Sequence, residues 1–442
     1  MASKTIACII LTALVVVGVS TTYAAQLLFT PSLTLSEEYT DNLFLTPDNE
    51  TEDYITRAEL GLTGQVLWRT AGLELNYNPS YNKFSDNSDL DYWRHAASFN
   101  LWKEIKRNTR LEFRDTYLRT NDPVDATEDI DPDNPLLGSA IELDTNRRGR
   151  NEYYNNVANL RLTHQFGTND SFYLAYEYSL QRDVDIIEGE PVSDNDITTT
   201  SAGVDYTFSP KWTMELDGYY EDGDYESLND RVEYNGELRI LYNFDRSLSA
   251  FVSYRHTVLD YDEDTDEDYQ IYRPTIGLEK RFQDNTRISI GVGYYVQDFD
   301  TSEDESSFIA NSEIHKRWEY RTVYIDLLGM SGYEIADDGA VDSGLRIYYE
   351  GRGEIGYRFS QRFSSNIFSS YRYDEYPNAV PDRVDNTVNA GAELSWQILQ
   401  WLTAGLTYNL RNVTSDIDAI EYTENSAMLT ITMTPASPYR LN

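Results

Sequence analysis

The sequence predicts an all-β fold: a single large antiparallel transmembrane β-barrel of about 20 strands (roughly 18–22), with short periplasmic turns and long acidic extracellular loops. Three observations predict it. First, side chains sort by odd and even position. Over residues 232–244, Tyr234, Gly236, Leu238, Ile240 and Tyr242 fall on one side, and Glu233, Asn235, Glu237, Arg239 and Asn243 on the other. A period of two is the signature of an extended strand, whose successive side chains leave opposite faces. Second, such runs are about 9–11 residues long, the length a tilted strand needs to cross a bilayer. Third, mean hydropathy is −0.56 while tyrosine reaches 36 residues, against 16 Phe and 7 Trp. A barrel needs apolar residues only at every second strand position, and tyrosine suits a boundary that is apolar at one end and wet at the other.

Residues 1–25 differ from the rest. Lys4 precedes an apolar run over residues 6–19, and small residues follow at Thr22, Ala24 and Ala25. This pattern predicts a secretory signal peptide, leaving 26–442 as the barrel. The only cysteine, Cys8, lies inside that leader, so the remainder carries no thiol chemistry and needs no disulfide.

Strands and turns then follow in order. A first strand rises through Leu33, Leu35 and Tyr39, and a polar loop covers 47–53. Residues 54–68 place Ala58, Leu60, Leu62, Val66 and Trp68 on one face; Leu73, Leu75, Tyr77 and Tyr81 return after a tight turn. The alternation of strand, short turn, strand and longer acidic loop repeats to the end. Short turns are expected near 103–108, 167–170, 209–211, 245–247, 283–285, 319–321, 360–362 and 397–400. Longer loops are expected near 119–152, 182–197, 222–231, 259–268, 298–307, 333–342, 374–385 and 411–420. The last strand covers 422–433, and 434–442 follows with Pro435 and Pro438.

The formal net charge is −39. Nucleic-acid binding is excluded, since phosphate contacts need basic surface. The inward rows carry the candidate functional residues. Acidic candidates for the lumen lining are Glu59, Glu112, Glu177, Glu237, Glu354 and Glu393, with Glu215, Asp217 and Glu279 in the same rows. Basic candidates are Arg57, Arg114, Arg239, Arg255, Arg273 and Arg287, followed by Arg346, Arg352 and Arg358. Such side chains either set the field of a channel or pair across strands and stiffen its wall.

Residues 31–45 read Pro-Ser-Leu-Thr-Leu-Ser-Glu-Glu-Tyr-Thr-Asp-Asn-Leu-Phe-Leu. This stretch resembles the opening strand of outer-membrane β-barrel porins often encoded beside exopolysaccharide synthesis and export genes, and of barrels associated with the PEP-CTERM protein-sorting system. The resemblance implies a protein of the cell outer membrane, serving passage of an extracellular polymer. Its partners would be outer-membrane lipid and lipopolysaccharide, with exopolysaccharide or periplasmic export components. It supplies no catalytic residues; Asp41 and Asn42 are marks of likeness.

Two further features have chemical readings. Asp260, Asp262 and Asp264 match the first ligand positions of an EF-hand loop, but Thr265 stands where glycine is needed and Ile271 where the bidentate glutamate belongs. They are candidates for loose divalent binding only, beside the reading as solvated loop. The four histidines, His95, His164, His256 and His315, sit in no nucleophile motif. The sequence therefore points to no enzyme and no cofactor. Its leading reading is a porin-like channel; the alternative is a structural or adhesion barrel with a closed lumen and partner-binding loops; an outer-membrane hydrolase comes third.

Overall fold

The computed structural model describes residues 25–123, 150–184, 193–262, 266–282, 286–338, 341–379 and 383–441. The expected leader with Cys8, and nearly all of segment 122–144, lie outside them. The strands in order are β1 (Gln26–Thr40), β2 (Asp53–Trp68), β3 (Ala71–Phe84), β4 (Tyr92–Lys106), β5 (Thr109–Thr120), β6 (Tyr153–Gln165) and β7 (Ser171–Asp183). Then come β8 (Asn195–Ser209), β9 (Trp212–Tyr225), β10 (Arg231–Asn243), β11 (Leu248–Tyr261), β12 (Tyr269–Arg281), β13 (Arg287–Phe299) and β14 (Glu305–Glu319). The chain ends with β15 (Val323–Asp338), β16 (Val341–Arg358), β17 (Phe363–Tyr376), β18 (Arg383–Leu399), β19 (Leu402–Ser415), β20 (Tyr422–Met433) and the short β21 (Tyr439–Leu441).

Every strand from β1 to β19 pairs antiparallel with its successor, and β20 returns to β1 through Leu33↔Met433 to Thr40↔Ser426. The result is a closed antiparallel barrel of 20 strands. Closure pairs the strand edges within the wall, the condition for a sheet to stand in hydrocarbon; among the described residues the ladder between β14 and β15 covers only the half of β14 from Ser312 to Glu319. The expected boundaries hold closely in most places; the last long strand spans the residues read from its alternation.

The outward face explains the tyrosine content. On β10, Tyr234, Leu238 and Ile240 are exposed, and on the neighbouring strands so are Val252, Ile276, Leu278, Ile290 and Val292. Aromatic pairs flank this aliphatic band. Near the short turns lie Trp212–Tyr242 at 5.0 Å, Tyr206–Phe208 at 4.8 Å and Tyr357–Phe359 at 4.6 Å. Near the long loops lie Tyr220–Tyr234 at 5.1 Å and Tyr81–Trp93 at 5.2 Å. From Tyr234 to Tyr242, about 3.3 Å per residue and a tilt near 40° give about 20 Å, close to the apolar height of an outer-membrane wall.

The β1–β20 seam is locked at both ends. At the loop end, Asp41 accepts the Asn425 backbone N–H at 2.7 Å and its side-chain amide at 2.8 Å. Asn42 donates to the carbonyls of Thr46 and Thr423 at 2.8 and 2.9 Å. Leu43 and Leu45 then plug two separate buried clusters, with Ile55, Phe84 and Tyr92, and with Val413, Ile420 and Tyr422. The stretch that carries the resemblance is thus a rim clasp. At the turn end, β21 pairs with Leu27–Phe29 of β1. The chain interrupted by Pro435 and Pro438 therefore resumes the seam where β20 leaves it.

One expected loop is not a loop. Residues 333–342 read as a polar connection, yet β15 continues to Asp338 and β16 begins at Val341, the two paired as far as Asp338↔Val341. Gly344, at φ +63°, stands opposite Ala336 where the register shifts by one residue; only glycine takes that backbone shape without a steric cost. The acidic and glycine-rich composition that suggested a loop belongs to this tip.

Candidate functional site: the barrel lumen

The lumen is built by the residues that alternate with the outward band. On β8 to β14 they form a cavity of about 970 Å³ opening beside the 244–247 turn, at the periplasmic end. Its floor is an apolar residue. Phe251 is buried on the inward face of β11, beside Leu241 of β10. Gly277 and Gly291 lie under its ring; a Cβ at Gly277 would overlap the ring and the Ile290 carbonyl. Two glycines at inward positions of β12 and β13 thus let an aromatic ring lie against the wall. The Arg239 guanidinium covers the ring at 4.0 Å, a cation–π contact.

Arg239 in turn is held by carboxylates from both sides, Glu215 of β9 at 2.7 Å and Glu279 of β12 at 2.7 Å. Glu279, fully buried, also accepts from Arg281 at 2.6 Å and is ion-paired with Arg287 at 3.1 Å. Arg239 and Glu215 are directly opposed in the β9–β10 ladder, so the pair is fixed by register. Opposed charges on adjacent strands are the sheet counterpart of helical ion pairs. The cavity lining balances acids Asp205, Glu215, Asp217, Glu237, Asp245 and Glu313 against Lys211, Arg239, Arg246, Arg255, Arg281 and Arg287.

Above this cavity the lumen narrows. Glu237 binds Arg255 at 2.6 Å and lies 3.9 Å from Arg273. The Arg273 guanidinium sits 4.7 Å over the ring of Tyr333, whose hydroxyl is 3.1 Å from the Thr257 hydroxyl. Tyr333 belongs to β15, on the far side of β14. With Leu345 and Ile347 it is buried against Leu259, Tyr269, Ile271, Tyr295 and Ile309. On its other side the same hairpin is tied to β17: Glu334 accepts from Arg346 at 2.8 Å and Arg372 at 2.7 Å, and Arg372 binds Asp374 at 2.9 Å. The outer half of the β15–β16 hairpin therefore lies inside the barrel. An interior expected to be wet throughout is apolar there.

The remaining candidates are spread around the wall. Arg57 donates to Asn82 at 2.5 Å, and Glu59 stands opposite Ser80. Arg114 stands opposite Asn100, Glu112 binds Arg110 at 3.2 Å, and Glu177 accepts from Asn159 at 3.0 Å. Arg352 and Glu354 pair at 3.5 Å. Arg358 and Glu393 line a second cavity of about 400 Å³ beside the 320–322 turn. Most candidates are ion-paired or hydrogen-bonded, so they form the stiffened wall as well as the lining. Residues missed in the sequence are Leu241, Phe251 and Tyr333; the run Ile240-Leu241-Tyr242, which breaks strict alternation, is the signal that could have found the first.

Asp260 and Asp262 are exposed at the outer rim, and Asp264 lies outside the described residues. Among the described residues, no three metal-ligating side chains gather. The histidines are apart: His95 meets Tyr77 at 2.9 Å, His164 meets Thr109 at 2.8 Å, His256 meets Gln270 at 3.2 Å, and His315 meets Asp326 at 3.3 Å.

A family model described as Putative beta-barrel porin 2 matches residues 22–137 and 230–434. A search of curated proteins finds no match. Among solved structures, Pseudomonas aeruginosa OccK2 (OpdF) is 11% identical, with 92% of this chain and 98% of that one covered at a TM-score of 0.40. Acinetobacter baumannii OccAB4 is 13% identical over 92% and 98%, TM-score 0.41. The siderophore receptor PirA from Pseudomonas aeruginosa is 9% identical over 92% and 80%, TM-score 0.48.

Proposed function

The chain belongs to the Putative beta-barrel porin 2 family, and on that premise we propose that this outer-membrane, porin-like barrel is a conduit for a hydroxyl-rich polymer such as an exopolysaccharide. The observation that carries the reading is the 970 Å³ periplasmic cavity: balanced in charge, dense in donors and acceptors, and floored by Phe251. A lining of equal acids and bases repels neither sign and offers hydrogen bonds to neutral solutes. The resemblance in residues 31–45 supports the same polymer class, with periplasmic export components as partners at the short turns and lipopolysaccharide around the acidic outer loops. The test is single-channel recording in planar bilayers with sized neutral oligosaccharides. A conduit conducts, and added oligosaccharide interrupts the current with residence times that grow with chain length. A barrel that conducts but ignores every sugar refutes the polymer assignment.

The second reading is a structural or adhesion barrel with a closed lumen. The packing of the β15–β16 hairpin against β11–β14 favours it. It requires the reconstituted barrel to be electrically silent under all conditions, and partner binding to be lost when the 122–144 segment is deleted.

A further inference from the structure

The ladder between β14 and β15 runs from Glu319↔Tyr324 to Ser312↔Ser331 and, among the described residues, stops there. Both strands continue. Residues 306–311 of β14 stay on β13, from Val296↔Ser306 to Gly291↔Asn311, and β15 continues on β16 to its tip. Below the break, Leu327 faces outward and is exposed; above it, Tyr333 of the same strand face is 7% exposed, packed inside the lumen. The strand face written for lipid is therefore turned inward at Ser331.

Continuing the β14–β15 register past Ser331 brings Ala310 opposite Tyr333 and Phe308 opposite Ile335. Both pairs fall on the outward face. Phe308 is 74% exposed, more than any other large apolar residue described, while Ile335 packs against the lumen cluster. An aromatic–aliphatic pair across that ladder is a favourable sheet contact. The alternation of the hairpin thus fits two placements: inside the lumen, as observed, and in the wall.

Tyr333 of the hairpin lies over the Arg273 guanidinium at 4.7 Å, and inward positions on the same part of the wall are polar. Arg273, Thr275 and Gln297 are each at most 2% exposed, and Arg273 Nε, Thr275 Oγ1 and both polar atoms of the Gln297 amide have no hydrogen-bond partner among the described residues. Buried polar groups are normally satisfied. Inward positions of β12 and β13 with such groups form a polar surface able to hydrogen-bond a solute once uncovered.

We propose that residues 332–335 of β15 with 344–347 of β16 form a gate: folded inward they narrow the lumen, and zipped onto residues 306–311 of β14 they join the wall and uncover Arg273 and the polar positions beside it for the passing solute. The effect on current rests on the conduit reading; the movement itself does not. Phe308→Cys with Ile335→Cys reports it, because directly opposed residues in an antiparallel ladder have Cα atoms about 4.5–5.5 Å apart, within disulfide reach. Ile314→Cys with Gly329→Cys, opposed in the observed ladder, is the positive control, and the single native cysteine, Cys8, lies before the barrel. In outer-membrane preparations treated with a mild oxidant, both pairs are expected to cross-link. The oxidised Phe308→Cys/Ile335→Cys barrel is expected to conduct several-fold more than its reduced form, reversibly. Failure of that pair to cross-link while the control does overturns the gate. Cross-linking with finite but unchanged conductance also overturns it and leaves the conduit standing. A barrel silent in both redox states removes the conduit reading together with the gate.

Discussion

Glu279→Gln is the sharpest probe of the lumen wall. The Glu279 side chain is fully buried and ion-paired with three guanidinium groups, at 2.6, 2.7 and 3.1 Å. Removing one partner of a buried pair costs about 3–5 kcal/mol, because the other charge is left in a poor solvent. Here the full figure does not apply. The Arg281 and Arg287 side chains are 55% and 38% exposed and can rehydrate. Arg239 is 9% exposed but keeps Glu215. Only part of one guanidinium's solvation is then lost, so the expected destabilisation is about 2–3 kcal/mol, the upper range for a charged hydrogen bond. The assay is urea unfolding in detergent micelles, followed by tryptophan fluorescence and by gel mobility of unheated samples. The double variant with Arg239→Gln should cost less than the sum of the two singles, since each removes the other's partner. A Glu279→Gln barrel within about 0.5 kcal/mol of the parent would mean that the carboxylate is hydrated and the packed network does not exist; surface substitutions have that size.

Four other outcomes follow from named contacts. Gly277→Ala should displace the Phe251 ring, because the added methyl overlaps it and the Ile290 carbonyl; overpacking of this kind costs about 1–3 kcal/mol, and an unchanged urea midpoint would show that the ring does not lie there. Asp53→Ala should free the outer loop: its carboxylate accepts the backbone N–H groups of Tyr54, Ser85, Asp86 and Asn87 at 2.7–3.1 Å, and proteolysis at residues 85–91 should speed up at least tenfold. In the outer loops, hydrogen bonds from Ser302 and Thr301 hold the Glu267 carboxyl down to about 2. A lowered folded value means the contribution is full above the free value of about 4.3 and is lost as pH falls through about 2. Amide exchange at Ser302 should therefore be slower in the parent than in Glu267→Gln at neutral pH and equal near pH 1; equal rates at pH 7 would remove the contact. Finally, the acidic outer loops predict a reversal potential of cation-selective sign, and anion selectivity would show that the mouth does not set the field.

The wall was legible in the sequence because its information is local. Alternation places Leu238 and Ile240 outside and Glu237 and Arg239 inside, and the turn at 245–247 sets which strand comes next. Pairings such as Arg239 with Glu215 follow once neighbouring strands are in register, so the inward rows were readable as rows but not as bonds. The hairpin was not legible. Asp337, Asp338 and Gly339 have the composition of a loop, and the inward turn of Tyr333, Leu345 and Ile347 depends on Ile271 and Tyr295, which belong to strands beyond β14. Phe251 was hidden differently: an inward phenylalanine is out of pattern until Gly277 and Gly291 are seen beside it. Asp41 and Asn42 carried the resemblance without revealing their work, since their partners across the seam, Asn425 and Thr423, are nearly the whole chain away.

That seam concentrates one cost. Every other ladder joins neighbours in sequence across a turn or loop, whereas Thr34 and Thr432, 3.2 Å apart, are separated by 398 positions. Closing a flexible loop of that length costs about 5 kcal/mol in chain entropy beyond the constant term. The hairpins can therefore assemble into a curved sheet early, while circularisation comes last and sets the pace. Residues Asp41, Asn42 and the β21 extension act on that final event, so weakening them should slow the arrival of closed barrels far more than it loosens barrels already closed.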